Sequence, residues 1–273
     1  MTTNITTDID NTNTQAWMKE IWDWADANNI PESKIPREAD ALLRLRELDI
    51  LFGGYSTHVP DGKGGFREID SRDPIAALPE AIKNLKSLRY LRLNGGSQLP
   101  KGFEELDGLR ELVFLRTSME EIPEAICKLK NLKELYIMSR SLKKLPDNIG
   151  ELSSLRVFDM RGTQVKQLPK SFTHLTQLSS LTLCVNPLEY LPEDFDNLSN
   201  LEYINIRASH FDSLPESFGN LPKLTNLSLY ENELKSLPDS FVNLTSLEHL
   251  EFQESSLLDI DPAVQNFIDN HVE

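Results

Sequence analysis

The chain of 273 residues predicts an α/β solenoid, a curved horseshoe with a parallel β-sheet on its concave side and a helical cap at each end. Three observations predict it. A leucine or isoleucine, usually followed by proline, recurs at 78, 99, 122, 145, 168, 191, 214, 237 and 260, so that after one interval of 21 residues every interval is 23. A period in the twenties marks a supersecondary unit that buries its apolar face only by stacking on copies of itself. Inside each unit apolar residues keep the same columns: position 5 is Ile82, Phe103, Ile126, Ile149, Phe172, Phe195, Phe218 and Phe241, and position 8 is leucine from Leu85 to Leu244. Positions 11 to 16 read L-x-x-L-x-L, as in Leu132, Leu135 and Ile137, with the two-residue alternation of a strand buried on one face.

Residues 1–13, MTTNITTDIDNTN, carry almost no apolar content and are expected to be disordered. Residues 14–34 predict a capping helix: Thr14 can cap it, and Trp17, Ile21, Trp24 and Ala25 fall on one face. All three tryptophans, at 17, 22 and 24, lie in this stretch. A lid over the open end of the core is the expected role, because an uncovered end would leave a strand edge and a leucine layer in water. Residues 35–77 hold a degenerate first unit, with Ile35, Ala39, Leu42, Leu45, Leu48 and Ile50 on the apolar columns, and then an insertion at about 56–77. Its Pro60-Asp61-Gly62-Lys63-Gly64-Gly65 run carries turn chemistry between two short segments and predicts a projecting hairpin.

Residues 78–259 supply eight regular units. Each strand returns in the same direction after 23 residues, so the strands must pair in parallel, with the intervening segment crossing the far side of the core. That segment opens on Leu-Pro, where proline fixes φ and no ladder bond is required, and continues as a short helical turn. Its bulk exceeds the strand spacing of about 4.8 Å, which bends the stack with the sheet inside. At residues 260–273 the strand motif disappears, while Asp261-Pro262 offers an N-cap and a first-turn proline, and Val264 and Phe267 keep positions 5 and 8. A closing helix is expected.

The pattern L-x-x-L-x-L-x-x-N-x-L resembles the leucine-rich repeat family, and the L-P-x-x-[IF]-x-x-L opening is similar to its 23-residue bacterial and plant intracellular branch, including Ras-scaffold relatives. The resemblance implies the horseshoe fold and adaptor work on a protein or peptide. Position 19, where the family carries an asparagine that bonds neighbouring loop backbones, is asparagine only at Asn186 and Asn232; elsewhere it is Thr117, Arg140, Thr163, Ser209 and Ser255. Serine and threonine can supply a hydroxyl there. Arg140 cannot, and its side chain is expected to turn outward.

The net charge is −15, which argues against nucleic acid as a partner. Its distribution is uneven: residues 78–192 carry 17 basic and 13 acidic side chains, and residues 193–273 carry 3 and 16. No apolar run suggests a membrane span or a signal peptide, and Cys127 and Cys184 stand at different unit positions two units apart, too far to bridge. A reducing, cytoplasmic location is expected; the Thr- and Asn-rich start leaves secretion without a cleavable signal, as an effector acting on a host protein, as the alternative. His58, His174, His210, His249 and His271 form no metal-ligand spacing, and Gly62-Lys63-Gly64-Gly65 lacks the upstream glycine of a phosphate loop. No enzyme activity, cofactor, metal or small-molecule substrate is indicated.

The variable strand positions carry the functional expectation. Positions 13, 15 and 17 point away from the core, and there Val113, Leu115, Tyr136 and Met138 are expected as an exposed apolar patch, continued by Arg161, Tyr203, Arg207 and Tyr230. Tyrosine, arginine and methionine anchor protein interfaces because they bury a large area with a polar handle or an adaptable shape. Cys184, between Arg161 and Arg207 in its column, is the one candidate for a reactive thiol, since two guanidinium groups can lower a thiol pKa.

Overall fold

The structure is a computed structural model and describes residues 11–51, 57–60, 66–69, 77–252 and 260–270. Helix α1 (Asn11–Ala27) opens it. Starting three residues before Thr14, it takes in Asn11–Asn13, expected to be disordered; no glycine or proline there stops the helix. Residues 1–10 lie outside the described residues. Met18, Ile21, Trp24 and Ala25 are buried, and Trp17 and Trp22 pack half-buried against the same core. The Trp22 indole donates to the Pro36 carbonyl at 2.8 Å, and the Glu20 carboxylate accepts from the Ala81 amide at 3.2 Å. The helix is thereby tied to the first two units.

Helix α2 (Ala39–Leu43) leads to strand β1 (Glu47–Leu51). Leu42, Leu48 and Ile50 are buried as the unit template requires, Leu45 is half-buried, but Ala39 is exposed. An α-helical turn replaces the tighter turn of the later units here and rotates this position outward. Strands β2 (Thr57–Pro60) and β3 (Phe66–Ile69) pair antiparallel, with Pro60 opposite Phe66.

Eight strands follow at the repeat interval: β4 (Tyr90–Asn94), β5 (Glu111–Leu115), β6 (Glu134–Met138), β7 (Val157–Arg161), β8 (Ser180–Thr182), β9 (Tyr203–Asn205), β10 (Asn226–Ser228) and β11 (His249–Glu251). With β1 they form one parallel sheet in the order β1-β4-β5-β6-β7-β8-β9-β10-β11 among the described residues. Register is uniform, so like positions align: Leu112 pairs with Leu135, Leu135 with Phe158, and Phe158 with Leu181. A slip by one residue would turn the leucines to solvent, so burial fixes the register.

Between strands the chain makes a single 3-10 turn. In the unit starting at Ile122 the Ile126 amide donates to the Pro123 carbonyl at 3.1 Å and the Leu129 amide to the Ile126 carbonyl at 3.0 Å. This satisfies the backbone with the side chains of positions 5 and 8 turned inward. At position 5 Phe195 stacks on Phe218 with ring centroids 5.6 Å apart, Phe218 on Phe241 at 6.5 Å, and Phe241 meets Phe267 edge-on at 5.8 Å. Phe267 belongs to helix α3 (Pro262–Asp269), whose N-cap Asp261 accepts from the Ala263 amide at 2.7 Å and which buries Val264 and Ile268.

The chain leaves each strand through position 18, and there the backbone is left-handed at Gly95, Arg116, Gly162, Val185, Ala208 and Glu231. This reversal points position 19 into the interior. The Asn186 carboxamide accepts from the Thr163 amide (3.0 Å) and hydroxyl (2.7 Å) and donates to the Met160 carbonyl (2.9 Å). Asn232 repeats the pattern with the Ser209 amide and the Ile206 carbonyl. Ser139 is the exception, with no positive φ. It is buried itself and donates to the Thr117 carbonyl at 2.7 Å, so the hydroxyl comes from position 18 while Arg140 stays exposed.

Candidate functional site

The solvent face of the sheet is a trough of three rows. Along its floor position 15 runs Arg92, Val113, Tyr136, Asp159, Thr182, Asn205, Ser228 and Glu251. Position 17 forms the wall toward the strand ends, with Leu115 beside Met138 and Met138 beside Arg161. Position 13 forms the other wall, with Tyr203 beside Ser180 and Asn226.

Met138 is 43 % exposed, Tyr203 and Tyr230 are each 40 % exposed, and Leu115 and Tyr136 are half-buried. Val113 departs from the expectation of an exposed patch residue, being only 7 % accessible. It lies on the floor between the longer side chains of Arg92 and Tyr136, and inward curvature crowds that row. Leu115, Tyr136 and Met138 therefore make the apolar surface. The Tyr136 hydroxyl donates to Glu134 at 2.7 Å, and burial, with that bond next, raises its pKa. Burial, then the neighbouring Glu134, raises the Glu111 carboxyl as well.

Two further residues of the expected patch are arginines held by neighbours. Arg161 makes a two-pronged pair with Asp159, both contacts 2.7 Å. Arg207 pairs with Glu231 at 3.0 and 3.2 Å and lies 5.3 Å from the centre of the Tyr230 ring. Tyr203 stands on the opposite wall from Arg207 and Tyr230, linked across the floor by the Asn205 amide, which donates to the Tyr203 hydroxyl at 3.2 Å. The patch is thus two clusters, one at Leu115, Tyr136 and Met138 and one at Tyr203, Arg207 and Tyr230.

Residues 135–202 match the leucine-rich repeat region family, and residues 199–257 match the leucine rich repeat family. The chain is a leucine-rich repeat protein. Among solved structures it is similar to a leucine-rich repeat protein of Leptospira interrogans, with 24 % identity and a TM-score of 0.58 over 72 % of this chain and 63 % of that one. An internalin of Listeria monocytogenes gives 19 % identity and a TM-score of 0.56 over 72 % of this chain and 66 % of that one. The Toll–Spatzle complex of Drosophila gives 20 % and 0.54 over 71 % and 30 %. These likenesses establish the fold, and the chain spans less than two thirds of the length of each of the two bacterial structures. No curated protein matches the chain in sequence.

The structure of this leucine-rich repeat protein adds residues that strand positions alone did not indicate. Beside Met138 an open depression at the rim is lined by Arg116, Arg140, Arg161 and Val185. Val185 is 61 % exposed and has a φ of +58°. A β-branched residue in the left-handed region is a backbone outlier, and exposing its side chain adds no packing to offset the cost. The signal was readable only in part, because position 18 becomes informative once its handedness is known.

Cys184 of the leucine-rich repeat protein does not meet the expectation of an activated thiol. Its pKa is raised, first by burial, which outweighs the lowering by Arg161. Both guanidinium groups already serve carboxylates, Asp159 and Glu231, and the thiol donates to the Asn205 carboxamide oxygen at 3.0 Å. Cys127 is fully buried and pushed up to about 12, again first by burial. Among the described residues no group of His, Cys, Asp and Glu side chains is arranged to hold a metal, and no helix is long and apolar enough to cross a membrane.

Proposed function

We propose that this leucine-rich repeat protein is a non-catalytic adaptor that captures a protein or peptide partner in the trough of its sheet. Leu115, Tyr136 and Met138 are the central anchors, and Arg116, Arg140, Arg161 and Val185 border them. The observation that carries the reading is the pairing of exposed Met138 and Val185 beside one depression: neither side chain has a core to fill, and apolar anchors ringed by arginine suit a desolvated contact. The cluster at Tyr203, Arg207 and Tyr230 extends the contact along the trough. Open depressions of this kind suit a macromolecular surface better than a small molecule, which needs an enclosing cavity. The acidic balance supports a partner other than nucleic acid. Two free cysteines support a cytoplasmic location, and export as an effector is tested separately by a secretion reporter fused to residues 1–30.

The test is quantitative cross-linking and affinity capture with the intact chain and its Tyr136→Ala/Met138→Ala variant. Partners that the wild type enriches should be lost from the variant while its melting temperature is unchanged. Equal enrichment by both would remove the trough from the function.

A further inference from the structure

A different surface lies along the edge of the sheet where the strands begin. Position 12 immediately precedes each strand, and in the first five units it is Arg46, Arg89, Arg110, Lys133 and Arg156; the column then changes to Ser179 and Glu202. Backbone bonds join the five into one file. The Arg89 amide donates to the Arg46 carbonyl at 2.7 Å, Arg110 to Arg89 at 2.8 Å, Lys133 to Arg110 at 2.7 Å and Arg156 to Lys133 at 2.8 Å. At about 4.8 Å per strand the file spans about 19 Å.

Among the described residues none of these five cations forms an ion pair, although the chain has 43 acidic residues to 28 basic. Elsewhere cations do find carboxylates between units: Lys130 with Glu151 at 2.9 Å, Lys143 with Glu120 at 2.9 Å, and Arg207 with Glu231 at 3.0 Å. Two members of the file are also held in place. Arg89 donates through Nη1 to the Lys86 and Leu88 carbonyls, both at 2.9 Å, and Arg110 donates through Nη1 to the Gly108 carbonyl at 3.1 Å. Gly108 makes room for this arrangement: a Cβ there would lie 2.0 Å from the Arg89 Nη1 and 2.5 Å from the Lys86 carbonyl oxygen. Five like charges in a row repel one another, and among the described residues no carboxylate stands within ion-pair distance of any of them.

We propose that this edge is a docking strip for an acidic, extended peptide segment of a partner protein, whose carboxylates complete the pairs that the fold leaves open. An extended chain rises about 3.3 Å per residue, so six residues cover the file, with three alternate side chains facing its five cations and each carboxylate shared between neighbouring cations. Arginine suits the task because its planar fork takes a carboxylate in two parallel bonds. A longer polyanion fits less well, since Glu47, Glu111 and Glu134 stand at the next position in three of the five units and the molecule as a whole is negative. A membrane surface would need more than one file of charge. The strip is separate from the trough, so either can fail without the other.

The experiment measures binding of a fluorescein-labelled octaglutamate peptide to the intact chain by anisotropy. Comparisons are an oligonucleotide of equal formal charge, anionic phosphatidylserine vesicles, and the variants Arg110→Glu/Lys133→Glu/Arg156→Glu and Arg110→Gln/Lys133→Gln/Arg156→Gln. The wild type should bind the peptide more tightly than the oligonucleotide or the vesicles, with affinity falling as salt rises. The Glu variant should lose at least about tenfold and the Gln variant less, because reversal adds repulsion to the lost attraction. The Tyr136→Ala/Met138→Ala variant should bind the peptide as the wild type does. Failure to bind octaglutamate, equal binding by the charge variants, or tighter binding of oligonucleotide or vesicles overturns the proposal. So does sedimentation showing a low-salt dimer that the Glu variant abolishes and the peptide does not displace, since the occupant would then be a second copy.

Discussion

At the scale of single residues, Val185 sets two demands against each other. Its left-handed backbone is strained for a β-branched side chain, and that side chain is exposed beside Met138 in the rim depression. Gly162 holds the same place one unit earlier with a φ of +61°, so a glycine fits this turn. Val185→Gly should raise the unfolding free energy by about 1 kcal/mol, the strain relieved less the added chain entropy, while weakening partner capture; urea denaturation and the capture assay read the two effects. Unchanged capture would leave the valine without a role in the trough. A second residue effect is titratable. Cys127, pushed from 9.0 up to about 12, stays protonated in the folded chain after it ionises in the unfolded one. Its contribution to stability is therefore full below pH 9 and declines between pH 9 and 12, by at most about 1.4 kcal/mol per pH unit. Over that window the stability of Cys127→Ala should fall less steeply with pH than that of the wild type. What sequence could show at this scale divides cleanly. The inward asparagines at Asn186 and Asn232 were legible from the resemblance to leucine-rich repeats. The substitution of Ser139 for Arg140 was not, because it depends on the handedness of the backbone at one residue, and the burial of Val113 was not, because it depends on sheet curvature and neighbouring rows.

At the scale of elements, the strand and the 3-10 turn owe little to intrinsic propensity and much to columns that must coincide. Five-residue strands such as Tyr90–Asn94 and single turns such as Glu124–Lys128 would not persist alone. Their stability comes from neighbours, which is why a repeat period reveals them while windowed propensity would not. The caps were legible for the same reason, since the columns break at both ends and an apolar helix face follows; the start of α1 was less so, because no residue at 11–13 forbids helix. The stacked rings of Phe195, Phe218 and Phe241 give this dependence a test. Phe218→Ala removes the middle ring from a fully buried site and should cost about 4 kcal/mol. Because it severs contacts on both sides, it should also reduce cooperativity, so that units beyond Phe218 unfold in a separate, earlier phase in urea. A single transition with an unchanged slope would show that the units are coupled mainly through the leucine columns.

At the scale of the whole molecule, two gradients run along the stack in the same direction with opposed effects on stability. Electrostatic strain grows toward the C-terminal end, where residues 193–273 hold 3 basic and 16 acidic side chains against 17 and 13 in residues 78–192. Aromatic packing also grows in that direction, from isoleucine at Ile126 and Ile149 to the phenylalanine stack that ends on Phe267 of α3. Since each unit touches only its neighbours, these contributions stay local and do not average over the chain. Screening should therefore act unevenly. Raising salt to about 0.5 M shortens the Debye length to about 4 Å, which relieves repulsion among the acids but also weakens pairs such as Lys143 with Glu120 and Lys130 with Glu151 in the middle. Native-state hydrogen exchange should show the amides of Leu227 and Leu250 gaining protection relative to those of Phe114 and Ile137. If instead protection rises equally at all four, or falls at the C-terminal pair, charge repulsion is not what limits the stability of that end, and the phenylalanine stack is core packing that offsets no electrostatic cost.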